Sequence, residues 1–371
     1  PHVDGPEAPP ALGADLMIVF SPGTSFPQLT DRGTGVAAAV LFADGSTRHV
    51  SHADLDFSFT PTYAASDYEM RISRAGLECV LGVPVTDSAA SRFVLLDAAG
   101  APVGASDVAR GLRSMGDEQP AALETIPACE QGAVRVVSWN VQLGAPNTTP
   151  RPFAHVLSAL APDIVLVQEW EDASAEQLVA WFDEHLAWGS PWHAMTSAGW
   201  GVAVVSRFPL ERLGPERLDR PETAQPDGDR RDRDRATRFT GAVVQSPLGP
   251  IAAASIHLKC CGSMGSPEDL ARIAEAGQIR QTFAAAADER AIALRIIAGD
   301  FNLVGSRTPL DELSSAGDAD GTGLVPANPG VLGDSTFVTW TDARSNFSPG
   351  RLDWVLVGDS ALAIQRSFVL D

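Results

Sequence analysis

Ile296-Ile297-Ala298-Gly299-Asp300-Phe301-Asn302 is a short apolar run that stops at a glycine and then delivers a carboxylate and a carboxamide two residues apart. Strand side chains alternate faces, so residues i and i+2 point the same way. The pattern predicts a buried strand with Asp300 and Asn302 converging on one spot at its end. A carboxylate there can deprotonate or position a water. A carboxamide beside it can hold a phosphoryl oxygen without adding charge. Both residue types also cap strands as ordinary turn formers, so the pair takes its meaning from its neighbours.

Around this run, apolar stretches at 134–138, 164–167, 202–206, 241–245, 251–256, 294–298 and 352–357 read as strands. Residues 153–160, 173–186 and 267–287 read as helices, the first stopped at Pro162. Pro267-Glu268-Asp269 puts acid at the N-terminus of the long helix, as the helix dipole favours. Strands mixed with helices predict an α/β layered domain over 133–371.

The upstream texture is different. Short β-like runs at 15–20, 36–42, 54–59 and 68–72 are broken by turn residues, with hairpin turns expected at 43–46 and 98–100. This predicts a smaller β-sandwich-like domain over 15–110, preceded by a flexible Pro- and Ala-rich leader over 1–14 and followed by a linker over 111–132. In texture, without a specific motif, the domain resembles carbohydrate-binding sandwich modules. A glycan or protein partner is one expectation for it, and a structural domain without a ligand is the plainer one.

The net charge is -20, which argues against a surface adapted to coat nucleic acid but leaves room for a local basic groove. No apolar run approaches the length of a transmembrane segment. The chain begins at Pro1, so the N-terminus is expected to be processed or to lie upstream. Of four cysteines, Cys79 and Cys129 are candidates for a disulfide, whereas Cys260 and Cys261 are adjacent and bridge only with strain. Their spacing matches no zinc site. A secreted or periplasmic location is the resulting expectation.

Arginines and aspartates alternate over 217–238, which reads as a solvated loop. The sharper reading has Arg235 or Arg238, at the root of the next strand, meeting a substrate phosphate. Lys259 is the only lysine in the chain and joins them as a candidate phosphate contact, with an ordinary surface lysine as the alternative.

Five segments end or open a buried strand with polar residues: Ser138-Trp139-Asn140, Gln168-Glu169-Trp170, His257-Leu258-Lys259, Gly299-Asp300-Phe301-Asn302 and Arg351-Leu352-Asp353-Trp354. Any one is explained by capping; five together are not explained by packing. The tryptophans in them read as packing around the site. In this order the segments resemble the endonuclease/exonuclease/phosphatase superfamily. The resemblance runs from about Val134 to the C-terminus and implies a four-layer sandwich of two mixed β-sheets flanked by helices.

It also implies roles. Asn140 and Glu169 would sit at a divalent-metal site, Glu169 as the direct ligand. His257 would hydrogen-bond the scissile phosphate, Asp300 would position or deprotonate the attacking water, Asn302 would hold a phosphate oxygen, and Asp353 would orient a histidine. Oxygen ligands suit Mg²⁺ or Mn²⁺ better than Zn²⁺, and Asp300 beside such a cation is expected to stay ionised. The family's closing Asp-His pair is absent, since no Asp-His dipeptide occurs in the chain. The expectation is that the final strand is missing from this sequence; without that histidine the enzyme would be slow. The implied function is a Mg²⁺-dependent phosphodiester hydrolase, most like a nuclease. Alternatives are a phospholipid or small phosphoester hydrolase, or a binding protein that has lost catalysis.

Overall fold

The computed structural model describes residues 16–20, 36–41, 46–50, 55, 58–60, 69–81 and 125–370, except 172, 198–200, 222–235, 263–264, 305, 317–322, 328, 333–337, 341–349 and 359–361. In the N-terminal part, β1 (Leu16–Phe20), β2 (Val36–Leu41) and β3 (Thr47–Val50) form an antiparallel sheet in that order. β4 (Ser58–Thr60) and β5 (Glu69–Arg71) pair as a separate antiparallel ribbon. The helix α1 (Arg74–Leu81) lies where the β texture was expected to continue. Its signal is Ser73, whose hydroxyl accepts from the Gly76 amide at 2.9 Å as an N-cap does. The leader, the turn at 98–100 and most of the 111–132 linker lie outside the described residues. Cys79 and Cys129 are exposed free thiols, so the structure does not form the disulfide that was a candidate.

Two sheets carry the rest of the chain. The first contains β6 (Val136–Asn140), β7 (Ile164–Gln168), β8 (His193–Thr196) and β9 (Ala203–Ser206) in the order β6-β7-β9-β8. The second contains β10 (Leu210–Leu213), β11 (Arg238–Ser246), β12 (Gly249–His257), β13 (Leu294–Asp300), β14 (Val325–Pro326) and β16 (Asp353–Gly358), in the order β10-β11-β12-β13-β16-β14. β15 (Gly330–Val331) and β17 (Phe368–Val369) form a short parallel pair, so the apolar run near the end of the chain has a strand partner. Among the described residues no strand pairs with the outer edge of β6.

The helices are α2 (Ala145–Thr148), α3 (Pro150–Leu160), α4 (Ala175–His185), α5 (Pro267–Asp288) and α6 (Thr308–Ser314). Their ends follow local chemistry. Ser174 and Gln177 close a reciprocal capping box on α4. Ser266 caps α5 ahead of Pro267. Ala161 ends α3 in the left-handed conformation, one residue before Pro162. β8, β10 and α6 escape the sequence pattern because they are short and owe their existence to pairing and packing with distant segments.

Side-chain alternation builds the layers. In β7, Ile164 and Leu166 face the second sheet, where Ala242, Val244, Ile251, Ala253, Ile296 and Ala298 meet them. Val165 and Val167 face the opposite way, onto Leu157 of α3 and Leu178, Trp181 and Phe182 of α4. On the far side, Ile279 and Phe283 of α5 and Leu310 and Leu313 of α6 cover the outer face of the second sheet. The result is the α/β/β/α sandwich that the resemblance implied. Each fully buried side chain of this size contributes about 1.5–3 kcal/mol.

The sheets contain two parallel pairs, β6 with β7 and β12 with β13. Parallel neighbours require a crossover, and α3 and α5 supply them. The carboxyl ends of all four strands therefore open towards one place, which in layered α/β folds is where ligands bind. Gly299 is required for this arrangement: it sits at φ 150°, and a Cβ there would collide with the Ile256 carbonyl of β12. Gly299→Ala is expected to lower stability by about 3 kcal/mol, read as a lower urea midpoint with an unchanged slope.

Candidate metal centre

Asn140 ends β6, Glu169 follows β7, His257 ends β12 and Asp300 ends β13. Register makes the rest: His257 stands beside Asp300 in the parallel pair, and Asp300 stands beside Asp353 of β16 in the antiparallel one. One hydrogen-bonded unit joins the two sheets. The Asn140 Nδ2 donates to Glu169 Oε1 and to Asp300 Oδ2, both at 3.1 Å. Its Oδ1 accepts from the Gln142 amide at 3.0 Å, which sets the orientation of the carboxamide. The Leu143 amide donates to the other Glu169 oxygen, Oε2, at 2.9 Å.

These contacts depend on unusual backbone. Among the described residues six non-glycine positions have positive φ, and five of them (Gln142, Leu143, Glu169, Cys261 and Asn302) line the same cleft. Such conformations carry a cost of order 1–3 kcal/mol each and persist where the surroundings hold them. At Gln142 and Leu143 the holding groups are Asn140 and Glu169. Sequence reading missed this turn, which nothing in Gln142-Leu143-Gly144 announces except the closing glycine. It leaves Leu143, 71% exposed, at the mouth of the cleft.

Asn302 comes to the site by another route than the one expected. β13 ends at Asp300, and Asn302 adopts φ 47°. Its amide donates to Asp300 Oδ1 at 2.9 Å, closing a turn through the aspartate side chain. Its Nδ2 donates to the Leu258 carbonyl at 3.1 Å. The two residues meet, but by a turn and not by strand alternation.

His257 is 5% exposed and has a defined tautomer. The Arg238 Nη1 lies 2.9 Å from His257 Nδ1. A guanidinium only donates, so Nδ1 accepts and the ring proton sits on Nε2. Nε2 faces the cluster, 3.8 Å from Asp300 Oδ2 and 4.0 Å from Glu169 Oε1. Burial, helped by the Arg238 charge, holds the imidazole well below its usual basicity, so at neutral pH it is an uncharged donor. Arg238, expected at a substrate phosphate, is engaged here with His257. Arg235 lies outside the described residues. The Lys259 amide donates to the buried carboxylate of Glu275 at 2.7 Å, and Lys259 is not among the residues lining the cleft.

Asp353 receives no histidine among the described residues. Thr339 holds this segment, its hydroxyl accepting from the Leu352 and Asp353 amides at 3.0 Å each. Arg351, beside Asp353, stacks on Trp354 at 3.7 Å from the ring centre and donates to the Ala327 carbonyl. Burial, reinforced by the Glu169 charge, raises the Asp353 carboxyl to about 6. Burial and the neighbouring Asp353 together push Asp300 well above the usual carboxylate range. The sequence reading expected Asp300 ionised beside a cation; burial and Asp353 shift the carboxyl towards its protonated form, and a positive charge at the site would shift it back.

The residues fit a hard divalent cation. Glu169, His257 and Asp300 each offer one donor atom, all within 4.8 Å of one another. With the His257 proton on Nε2, the oxygens of Glu169 and Asp300 are the donors free for a metal. Oxygen donors supplemented by water suit Mg²⁺ or Mn²⁺. The acidic groups pressed together around Asp300 make the donor set chemically unsatisfied without positive charge.

The sign of the pH dependence follows. The folded-state value of Asp353, about 6, is above its ordinary value of 3.8. Its ionisation therefore costs the fold nothing below the unfolded value, and the destabilisation grows as pH rises through this window. A cation between the carboxylates offsets the destabilisation where they are ionised. Melting curves with and without Mg²⁺ are expected to show a larger gain in Tm at about pH 7.5 than at about pH 5. Equal gains at both would contradict cation binding at these carboxylates.

No curated protein sequence matches the chain. Among solved structures, the fold is similar to a β-hairpin deletion mutant of β toxin from Staphylococcus aureus, with 15% identity and TM-score 0.41 over 64% of this chain and 91% of that one. It is similar to sphingomyelinase C from Streptomyces griseocarneus, with 18% identity and TM-score 0.39 over 60% and 83%. An AP endonuclease from Archaeoglobus fulgidus gives 13% identity and TM-score 0.42 over 61% and 86%. The sequence profile of the Endonuclease/Exonuclease/phosphatase family matches residues 137–371, which hold every cluster residue described above and both sheets apart from Val136. The chain therefore belongs to the Endonuclease/Exonuclease/phosphatase family and is a metal-dependent phosphoesterase.

Proposed function

We propose that the protein hydrolyses a phosphodiester by attack of a water positioned at Asp300, with Mg²⁺ or Mn²⁺ held at Glu169 and Asp300. The observation that carries this is the Asn140 carboxamide bridging Glu169 and Asp300 opposite the Nε2–H of His257. A bound divalent cation would stabilise the negative charge that builds on the phosphoryl oxygens. Asn140 keeps the two carboxylates at a fixed separation. The neutral His257 donates its Nε2 proton to a phosphoryl oxygen, with Arg238 holding the ring. Asp300, once ionised, orients the water and accepts its proton. Asn302 adds a carboxamide beside the phosphate. Asp300→Asn is expected to lower kcat by roughly 10²–10⁴-fold, the usual range for a positioned acid–base group, with circular dichroism unchanged. Undiminished turnover would favour a binding role for the cleft.

For the substrate, we favour a lipid-linked headgroup over nucleic acid. The net charge of -20 opposes a polyanion. Among the described residues, Arg238 is bound to His257 and Lys259 does not line the cleft. Leu143 presents an apolar side chain beside Glu169 at the cleft mouth. Nucleic acid is the second reading, supported by the Arg238 charge close to the phosphate donor. Turnover of phospholipid vesicles and of DNA is to be compared between about 50 and 200 mM salt. A steep loss with salt on DNA is the mark of counterion release; faster, salt-insensitive turnover of vesicles supports the headgroup reading. Export from the cell fits a lipid or extracellular substrate. Among the described residues no helix is long and apolar enough to cross a membrane.

A further inference from the structure

The loop that leaves β12 carries Cys260 and Cys261 three and four residues beyond His257. Both cysteines are exposed, and both line the cleft that holds Glu169, His257 and Asp300. The Cys261 thiol donates to Cys260 Sγ at 2.8 Å. The sequence reading expected adjacent cysteines to bridge only with strain. Much of that distortion is already built in: Cys261 has φ 71°, and Gly262 follows at φ 75°, where a Cβ would strike the Ser266 hydroxyl.

The loop is fastened from behind. The buried Arg272 guanidinium donates to the Lys259 carbonyl at 2.8 Å and to the Cys261 carbonyl at 2.6 Å. Glu275 accepts from the Lys259 amide at 2.7 Å. Cys260 is thus held between two anchored peptide groups, with its sulfur against that of Cys261. The hydrogen bond from Cys261, assisted by the Lys259, Arg238 and Arg272 charges, lowers the Cys260 thiol to about 6, while the same hydrogen bond and burial raise Cys261. One sulfur is prepared as a thiolate nucleophile and the other as its proton-bearing neighbour.

We propose that Cys260 and Cys261 are a modification site: a vicinal dithiol that exchanges with small-molecule disulfides and closes to a Cys260–Cys261 disulfide on the wall of the metal cleft. The Cys260 thiolate attacks a disulfide R–S–S–R, forming a mixed disulfide and releasing one RS⁻. That thiolate takes the Cys261 proton, and the Cys261 sulfur attacks Cys260, expelling the second RS⁻. One S–S bond breaks and one forms; the two cysteines lose two electrons and the small disulfide gains them. The bridge constrains the loop next to Leu258, whose amide donates to the Asp300 carbonyl and whose carbonyl accepts from Asn302. Its formation does not depend on the hydrolytic reading; only its effect on turnover does. A vicinal bridge is readily reduced, which suits a reversible modification.

The test uses the full chain with Cys79 and Cys129 replaced by serine, exposed to oxidised glutathione and followed by intact mass and non-reducing peptide mapping. The expected product has lost two hydrogens, carries no glutathione, maps to the Cys260–Cys261 peptide and reverts with dithiothreitol. Cys261→Ser is expected to stop at a single glutathione adduct on Cys260, and Cys260→Ser to react far more slowly. Phenylarsine oxide, which needs two neighbouring thiols, should bind the parent once and neither single variant. Accumulation of two glutathione adducts without closure, or an unreactive Cys260 in folded protein, would overturn the proposal. Because these readouts are masses, they decide the matter even if the protein hydrolyses none of the phosphodiesters offered. If it does hydrolyse one, oxidation is expected to change kcat by severalfold and dithiothreitol to restore it.

Discussion

Two carboxylates from different sheets share one amide group. Asn140 donates from the edge of the first sheet to Glu169 beside it and to Asp300 of the second sheet. This fork holds the site ends of the sheets in register. Just behind it, the buried Gln168 donates to the Ser255 hydroxyl, which donates in turn to the Val167 carbonyl, giving a second polar tie between the layers. Polar ties inside an otherwise apolar interlayer are worth having only where geometry must be exact to fractions of an ångström. Here they sit at the end of the sandwich where the chemistry is gathered.

The electrostatics follow from that geometry. Burial, reinforced by neighbouring acidic groups, raises the carboxyls of Asp300 and Asp353. The cluster is therefore a poor resting place for negative charge and a good one for a hard cation. His257 is tuned the opposite way: burial, helped by Arg238, favours its neutral form, and the Arg238 contact at Nδ1 directs its proton inwards. A single arginine, expected at the substrate, thus acts on the tautomer of a neighbour. The strained residues tell the same story, since five of the six non-glycine positive-φ positions among the described residues border this cleft.

Much of this was legible in the chain. The strand ends could be read because a buried strand is a continuous apolar run and a polar residue at its end stands out. Asn140, Glu169, His257 and Asp300 all fall at such ends, and the structure brings all four together. Asp353 arrives with them through its register with Asp300. Asn302 reaches the cleft by a turn in place of the expected alternation, because the strand stops at Asp300. Arg238 was expected at a substrate phosphate, and the structure shows it bound to its cross-strand neighbour, His257. The left-handed turn at Gln142 and Leu143 carried no signal, since its stabilising partners are a residue two positions back and another 26 positions away.

By itself, the sequence determined the layer pattern, the strand ends, the acidic character of the protein and the identity of the cluster residues. These are local or compositional properties: apolar periodicity, helix caps and the placement of polar residues at the ends of apolar runs. Only the tertiary structure decided which donor serves which acceptor, where the histidine proton resides, and that Cys260 and Cys261 face the same cleft as the carboxylates. Those depend on register between strands far apart in the chain and on burial, which sets both the charge state of a carboxyl and the direction of a hydrogen bond. No pattern along one strand contains that information, because the partner that completes each interaction belongs to another.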